Sequence, residues 1–140
     1  MVSWMRREAE EAPLVVERLL RENEPEVRSL AAFLRRRPPA LVLTAARGSS
    51  DHAALFAKYL LETRLLWPVL SLAPSVLTLY GARPKAPFPS LLLAFSQSGE
   101  SPDVVEAVRA YRGLGLLTVA FVNREESPLA QAAEVVLPLH

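Results

Sequence analysis

The chain contains no cysteine in its 140 residues. Disulfides, thiolate metal sites and cysteine nucleophiles are therefore excluded. Neither a G-x-x-x-x-G-K-[ST] run nor a G-x-G-x-x-G run occurs, so the sequence argues against a nucleotide-cradling loop. Runs of wholly apolar residues are short, and none approaches the ~18 residues of a membrane span. No sign of charge prevails either: 16 Lys+Arg against 15 Asp+Glu leave a net charge of +1, too little for a nucleic-acid footprint. The one basic cluster, Arg35-Arg36-Arg37, ends a predicted helix, where cations complement the helix dipole. The N-terminal stretch is charged from Arg6 onward and lacks an apolar signal core. No ligand cluster supports a metal. These absences lead us to expect a cytoplasmic protein with no metal, no cofactor, no nucleic-acid partner and no membrane partner.

What is present is a core. Hydrophobic residues make up 51% of the chain, enough for one well-packed domain. Charge is uneven: residues 1–37 hold 8 of the 16 Lys+Arg and 7 of the 15 Asp+Glu. We therefore divide the chain into an N-terminal helical segment, 1–39, packing on an apolar body, 40–140. Pro13 suits a first helical turn and would break an interior. The front end is accordingly expected to form one helical segment before Pro13, another from Pro13 to Asn23, and a third from Pro25 to Arg37. In the third, Val27, Leu30, Ala31 and Leu34 recur at helical spacing. In the body, strands are predicted at 40–45, 68–72, 90–95, 116–122 and 134–139, and helices at 51–66, 102–112 and from Ser127-Pro128. The strands are almost wholly apolar, as parallel strands covered on both faces are. The fold class is α/β: a three-layer αβα sandwich on a five-stranded parallel sheet of order 2-1-3-4-5 (flavodoxin-like), with extra N-terminal helices.

That order places a switch point between strands 1 and 3, where ligands bind beyond the carboxyl ends. The loops leaving those strands are Ala46-Arg47-Gly48-Ser49-Ser50 and Ser96-Gln97-Ser98-Gly99-Glu100-Ser101. Ser101-Pro102-Asp103 is a helix start, so the preceding turn faces free N–H groups and a positive dipole end that favour a dianion. Gly99 permits close approach, Ser96, Ser98 and Ser101 add hydroxyls, and Gln97 adds an amide. Capping alone would explain a single serine-rich turn, as at Ser127-Pro128. Two such turns face to face favour a ligand.

These residues resemble a known family. Ser96-Gln97-Ser98-Gly99-Glu100-Ser101 looks like the S-Q-S-G-E-[TS] motif of SIS (sugar isomerase) domains, and Gly48-Ser49-Ser50 is similar to their first-loop G-[TS]-S motif. Met5 to Pro13 resembles the M-x-K-E-I-x-E-Q-P entry of isomerase domains in that family. The resemblance implies a sugar-6-phosphate ligand, such as glucosamine-6-phosphate or fructose-6-phosphate. By position, Ser96, Gln97, Ser98 and Ser101 would hold phosphate at Gly99's turn, and Ser49 and Ser50 after Gly48 would contact phosphate or sugar oxygens. It also implies the N-terminal lobe of an aminosugar-phosphate isomerase or deaminase, whose partner is a homodimer mate or a second SIS half. A S-E-F motif expected after the second strand is replaced by Pro74 to Gly81. In such relatives the proton-moving Glu, His and Lys come from the second half, expected beyond His140.

Within this chain the catalytic candidates are weak. Glu100 could act as a base, although dipole compensation at a helix start is the more ordinary role. His52 could titrate near neutral pH, but a lone His at a helix start more often caps or meets an interface. His140 is expected to fray. Besides an enzyme lobe, the alternatives are a non-catalytic phosphosugar-sensing or regulatory subunit and a plain interaction module. The helix from Ala53 to Leu66 is apolar on more than one face, which favours a partner surface.

Overall fold

The computed structural model describes residues 3–82 and 85–140. Its five strands are β1 (Leu41–Ala46), β2 (Val69–Ser71), β3 (Ser90–Ser96), β4 (Leu117–Val122) and β5 (Val135–Pro138). All pair in parallel in the order β2-β1-β3-β4-β5, the order expected from sequence. Helices α3 (Pro74–Thr78), α4 (Pro102–Gly113) and α5 (Pro128–Ala132) form one layer. On the other side lie α1 (Trp4–Arg36) and α2 (Ser50–Arg64). Short α3 was not read from the sequence, although Pro74 stands at its first turn.

Small residues in the central strands set the height of α4 above the sheet. Ala45, Ala94 and Ala120 are register neighbours across β1, β3 and β4, and each is fully buried. They share a cluster with Val104, Val105 and Val108 of α4. Where this alanine row lies beneath it, α4 meets only methyl groups and can sit close, at the end of the sheet where the 96–101 turn emerges. On the opposite face Phe95 and Phe121, also register neighbours, stack with ring centroids 4.6 Å apart.

The expected breaks at Pro13 and Pro25 do not occur. Residues Trp4–Arg36 form one helix containing both prolines. Each proline removes one N–H from the helical ladder and leaves the carbonyl four residues earlier without its donor. Those carbonyls belong to Ala9 and Arg21, both exposed residues, so water can satisfy them. Asn23 then fastens the helix to the domain. Its side-chain amide donates to the Leu19 carbonyl at 3.0 Å and to the Pro138 carbonyl at the end of β5 at 2.7 Å. Leu30 and Leu34 continue that contact onto the sheet. His140, expected to fray, instead lies half-buried with Nε2 3.0 Å from Glu22 of α1.

Helix α2 has a sheet-facing stripe and a second apolar stripe. Ala54 is its one buried residue, while Leu55, Phe56, Tyr59 and Leu60 are exposed, Phe56 by 70%.

Asn23→Ala should lower the unfolding free energy by about 1–2 kcal/mol, because the Pro138 carbonyl loses a buried donor. Urea denaturation would show it as a lower midpoint at unchanged slope.

Tyr111 yields a pH prediction. Burial pushes its phenol above the ordinary tyrosine value. The folded chain thus holds this proton more tightly than the unfolded chain. The resulting stability is fully present below roughly pH 10 and is lost as pH rises through the folded value. Tyr111→Phe should lose less stability than wild type as pH rises above roughly 10, and equal losses in an alkaline denaturation series would contradict this.

Candidate phosphate-binding site

The turn after β3 is held from behind by the residue that follows β4 and by the first turn of α5. The Asn123 N–H donates to the Gln97 carbonyl at 3.3 Å, and the Leu129 N–H to the Gly99 carbonyl at 3.1 Å. Inside the turn, the Gly99 N–H donates to the Ser96 hydroxyl at 3.0 Å and the Glu100 N–H to the Ser98 hydroxyl at 3.3 Å. Gly99 has a φ of +69° and lies against Ser127 and Val122. Among the described residues, the backbone N–H groups of Gln97, Ser98 and Ser101 have no protein acceptor.

Two serines with the same sequence context behave differently here. Ser127 precedes Pro128, is buried, and its hydroxyl accepts from the Ala130 N–H at 3.3 Å. Ser101 precedes Pro102 at the N-cap of α4, yet its hydroxyl makes no capping bond. Ser49, at the N-cap of α2, makes none either. Capping thus accounts for Ser127 and leaves the Ser101 and Ser49 hydroxyls available to a ligand. Ser96 differs again: it is buried, and its oxygen serves the turn itself.

The two serine turns are neighbours because β1 and β3 pair up to Ala46↔Phe95. An ion pair joins them: Arg47 Nη1 lies 2.9 Å from Asp103 Oδ2. Gly48, at φ +60°, turns the chain into α2, where Ser50 is half-buried and His52 exposed. Gln97 is exposed, and Ser98 and Ser101 are half-buried. Beside the turn, a cleft of about 850 Å³ is lined by Arg47, Ser75, Thr78, Glu100, Asp103 and Arg109, among others. Such a geometry presents neutral donors at a helix N-terminus, an arrangement suited to a phosphate or another oxyanion.

A family model described as SIS domain matches residues 39–140. The chain belongs to the SIS family. This SIS domain is 34% identical over 142 aligned residues to a glutamine–fructose-6-phosphate aminotransferase (isomerizing) of Thermus thermophilus, covering 98% of the chain and 23% of that protein. The solved structure of a Silicibacter pomeroyi protein that carries the name phosphosugar isomerase superposes with a TM-score of 0.91 at 43% identity, over 98% of this chain and 42% of that one. Vibrio vulnificus NanR, solved with ManNAc-6P, shares the fold at a TM-score of 0.66 and 17% identity, over 91% of this chain and 50% of its own. The SIS domain here therefore spans less than half the length of the aminotransferase and of the Silicibacter protein.

The catalytic candidates are not brought together into an acid–base pair. Glu100 is exposed and forms an ion pair with Arg124 at 2.6 Å, while His52 stands on the first turn of α2. Sequence reasoning missed Arg47 and Arg124 as partners of the turn's carboxylates. The position of Arg124 just after β4, beside β3 at the same sheet edge, is the signal that could have found it.

Gly99→Ala is the sharpest test of how the turn is built. A Cβ there would overlap the Ser127 side chain and approach Val122 Cγ2 to 2.8 Å, at a φ that L-residues avoid. We expect a loss of about 2–4 kcal/mol of stability, together with lost anion binding. A thermal melt indistinguishable from wild type would show that the turn adapts freely.

Proposed function

We propose that this SIS domain binds the phosphate of a sugar phosphate in the turn Ser96–Ser101, with Ser98, Ser101 and the Gln97, Ser98 and Ser101 N–H groups as donors. Ser49 and Ser50, beyond Gly48, complete the ligand contacts from the β1–α2 loop. The observation that carries this reading is the Ser101 hydroxyl, placed at a helix N-cap yet free of any capping bond. Gly99 keeps the turn open, and Ser96 holds its shape through the Gly99 N–H. The relative from Thermus thermophilus bears fructose-6-phosphate in its name, and aminosugar or keto-sugar 6-phosphates are accordingly the ligands to try first.

In this reading the chain is the N-terminal lobe of an aminosugar-phosphate isomerase or deaminase. Moving a proton between C1 and C2 needs a base, and opening the ring needs an acid. Glu100 is held by Arg124, and His52 stands exposed on the first turn of α2, so in this reading a second lobe or subunit supplies those groups. Its docking face would include the exposed Leu55, Phe56, Tyr59 and Leu60 of α2. A phosphosugar-sensing role without catalysis uses the same site, and turnover distinguishes the two.

Calorimetry on the purified chain should detect glucosamine-6-phosphate or fructose-6-phosphate. Ser98→Ala combined with Ser101→Ala should weaken binding roughly ten-fold or more, since two hydrogen bonds to a charged group are removed. No affinity in the folded wild-type chain, or full affinity in the double variant, would overturn the reading.

A further inference from the structure

A dianion at this turn meets an obstacle that its neutral donors do not remove. Two carboxylates lie at the same helix start, Glu100 in the turn and Asp103 in the first turn of α4. Uncompensated, each would repel a phosphate at close range. Each is met by one arginine from a different loop at the carboxyl edge of the sheet. Arg47, leaving β1, reaches Asp103 at 2.9 Å, and Arg124, leaving β4, reaches Glu100 at 2.6 Å. The two pairs are not equivalent. Glu100 and Arg124 are both more than half exposed, so water and salt screen them, whereas the Asp103 side chain is only 22% exposed. Asp103 is also held on both oxygens: Oδ1 accepts from the Val104 N–H at 3.0 Å, and Oδ2 faces Arg47.

We propose that Arg47 is a positioning residue for anion affinity, acting through Asp103: it cancels the less hydrated carboxylate at the start of α4, so the free N–H groups and serine hydroxyls can receive a phosphate. This inference rests on the phosphate reading of the turn and names the charge balance that reading requires. Glu106 and Arg109 line the same cleft with opposite charges. Arg47 contributes through the carboxylate it neutralises and not through the phosphate itself.

The test is a double-mutant cycle read by calorimetry with glucosamine-6-phosphate, and with inorganic phosphate as a second probe. Arg47→Met should weaken binding about five- to ten-fold, the scale of one unit charge a few ångströms away in a partly hydrated site. Asp103→Asn alone should bind as well as wild type or better. The double variant should return to within roughly two-fold of wild type, because the charge that needed cancelling is gone. Arg47→Lys should keep most of the affinity. A double variant as weak as Arg47→Met would assign Arg47 to the phosphate directly and overturn the proposal, as would an Arg47→Met protein of unchanged affinity. Melting curves of all four variants check that each is folded. Wild-type protein that binds neither probe refutes the phosphate site and this inference with it, while wild-type binding with strictly additive variants refutes this inference alone.

Discussion

β1 and β3 pair in parallel from Leu41↔Ser90 to Ala46↔Phe95, although β2 and α3 lie between them in the chain. Parallel pairing makes both strands end at the same edge, so their following loops emerge together. One loop turns toward α2 and the other toward α4, on opposite faces of the sheet, and a gap opens where they part. The serines at 49–50 and 96–101, and the Arg47–Asp103 ion pair, all depend on this divergence. Had the second connection returned β3 to the far side of β2, Arg47 would have had no partner at α4.

A site of this kind has to reconcile two requirements. The turn must be rigid enough to aim its donors, yet hydrogen bonds that rigidify it can consume those donors. The residue after β4 and the first turn of α5 resolve the conflict by bonding carbonyls: Asn123 and Leu129 hold the oxygens of Gln97 and Gly99. Rigidity comes from acceptors, leaving N–H groups over. The missing Cβ of Gly99 makes this support possible, because any side chain there would push Ser127 away. The alanine row beneath α4 acts in the same sense, bringing a helix N-terminus down to the turn without bulky side chains to displace it.

Much of this was legible from the residues. Apolar strands separated by polar turns specify a doubly covered parallel sheet, and the S-P-D start specifies α4, because both signals are local and repeated. The helix through Pro13 and Pro25 was not legible. Proline's local backbone effect argues for a break, whereas exposed carbonyls and the reach of Asn23 to Pro138 decide the outcome. Strand β2 is shorter than its apolar run: at the sheet edge only Val69 to Ser71 pair with β1, opposite Val42 to Thr44. The arginine partners of Glu100 and Asp103 were invisible for a related reason: each comes from a loop distant in sequence, and only strand order brings it near.

Ser101 and Ser127 show where pattern stops and environment begins. Each precedes a proline that opens a helix, so each has the residue types of a capping serine. Ser127 is enclosed beneath Gly99, out of reach of water, and a buried hydroxyl must find a protein partner; it takes the Ala130 N–H. Ser101 is half-buried at the open edge, where water or a ligand oxygen can serve it, so no such obligation arises. An uncapped serine costs a helix about 1 kcal/mol relative to a capped one, and α4 accepts that cost where its dipole faces the cleft between the two loops. The same dipole that lacks a hydroxyl cap is the one that a bound dianion would satisfy.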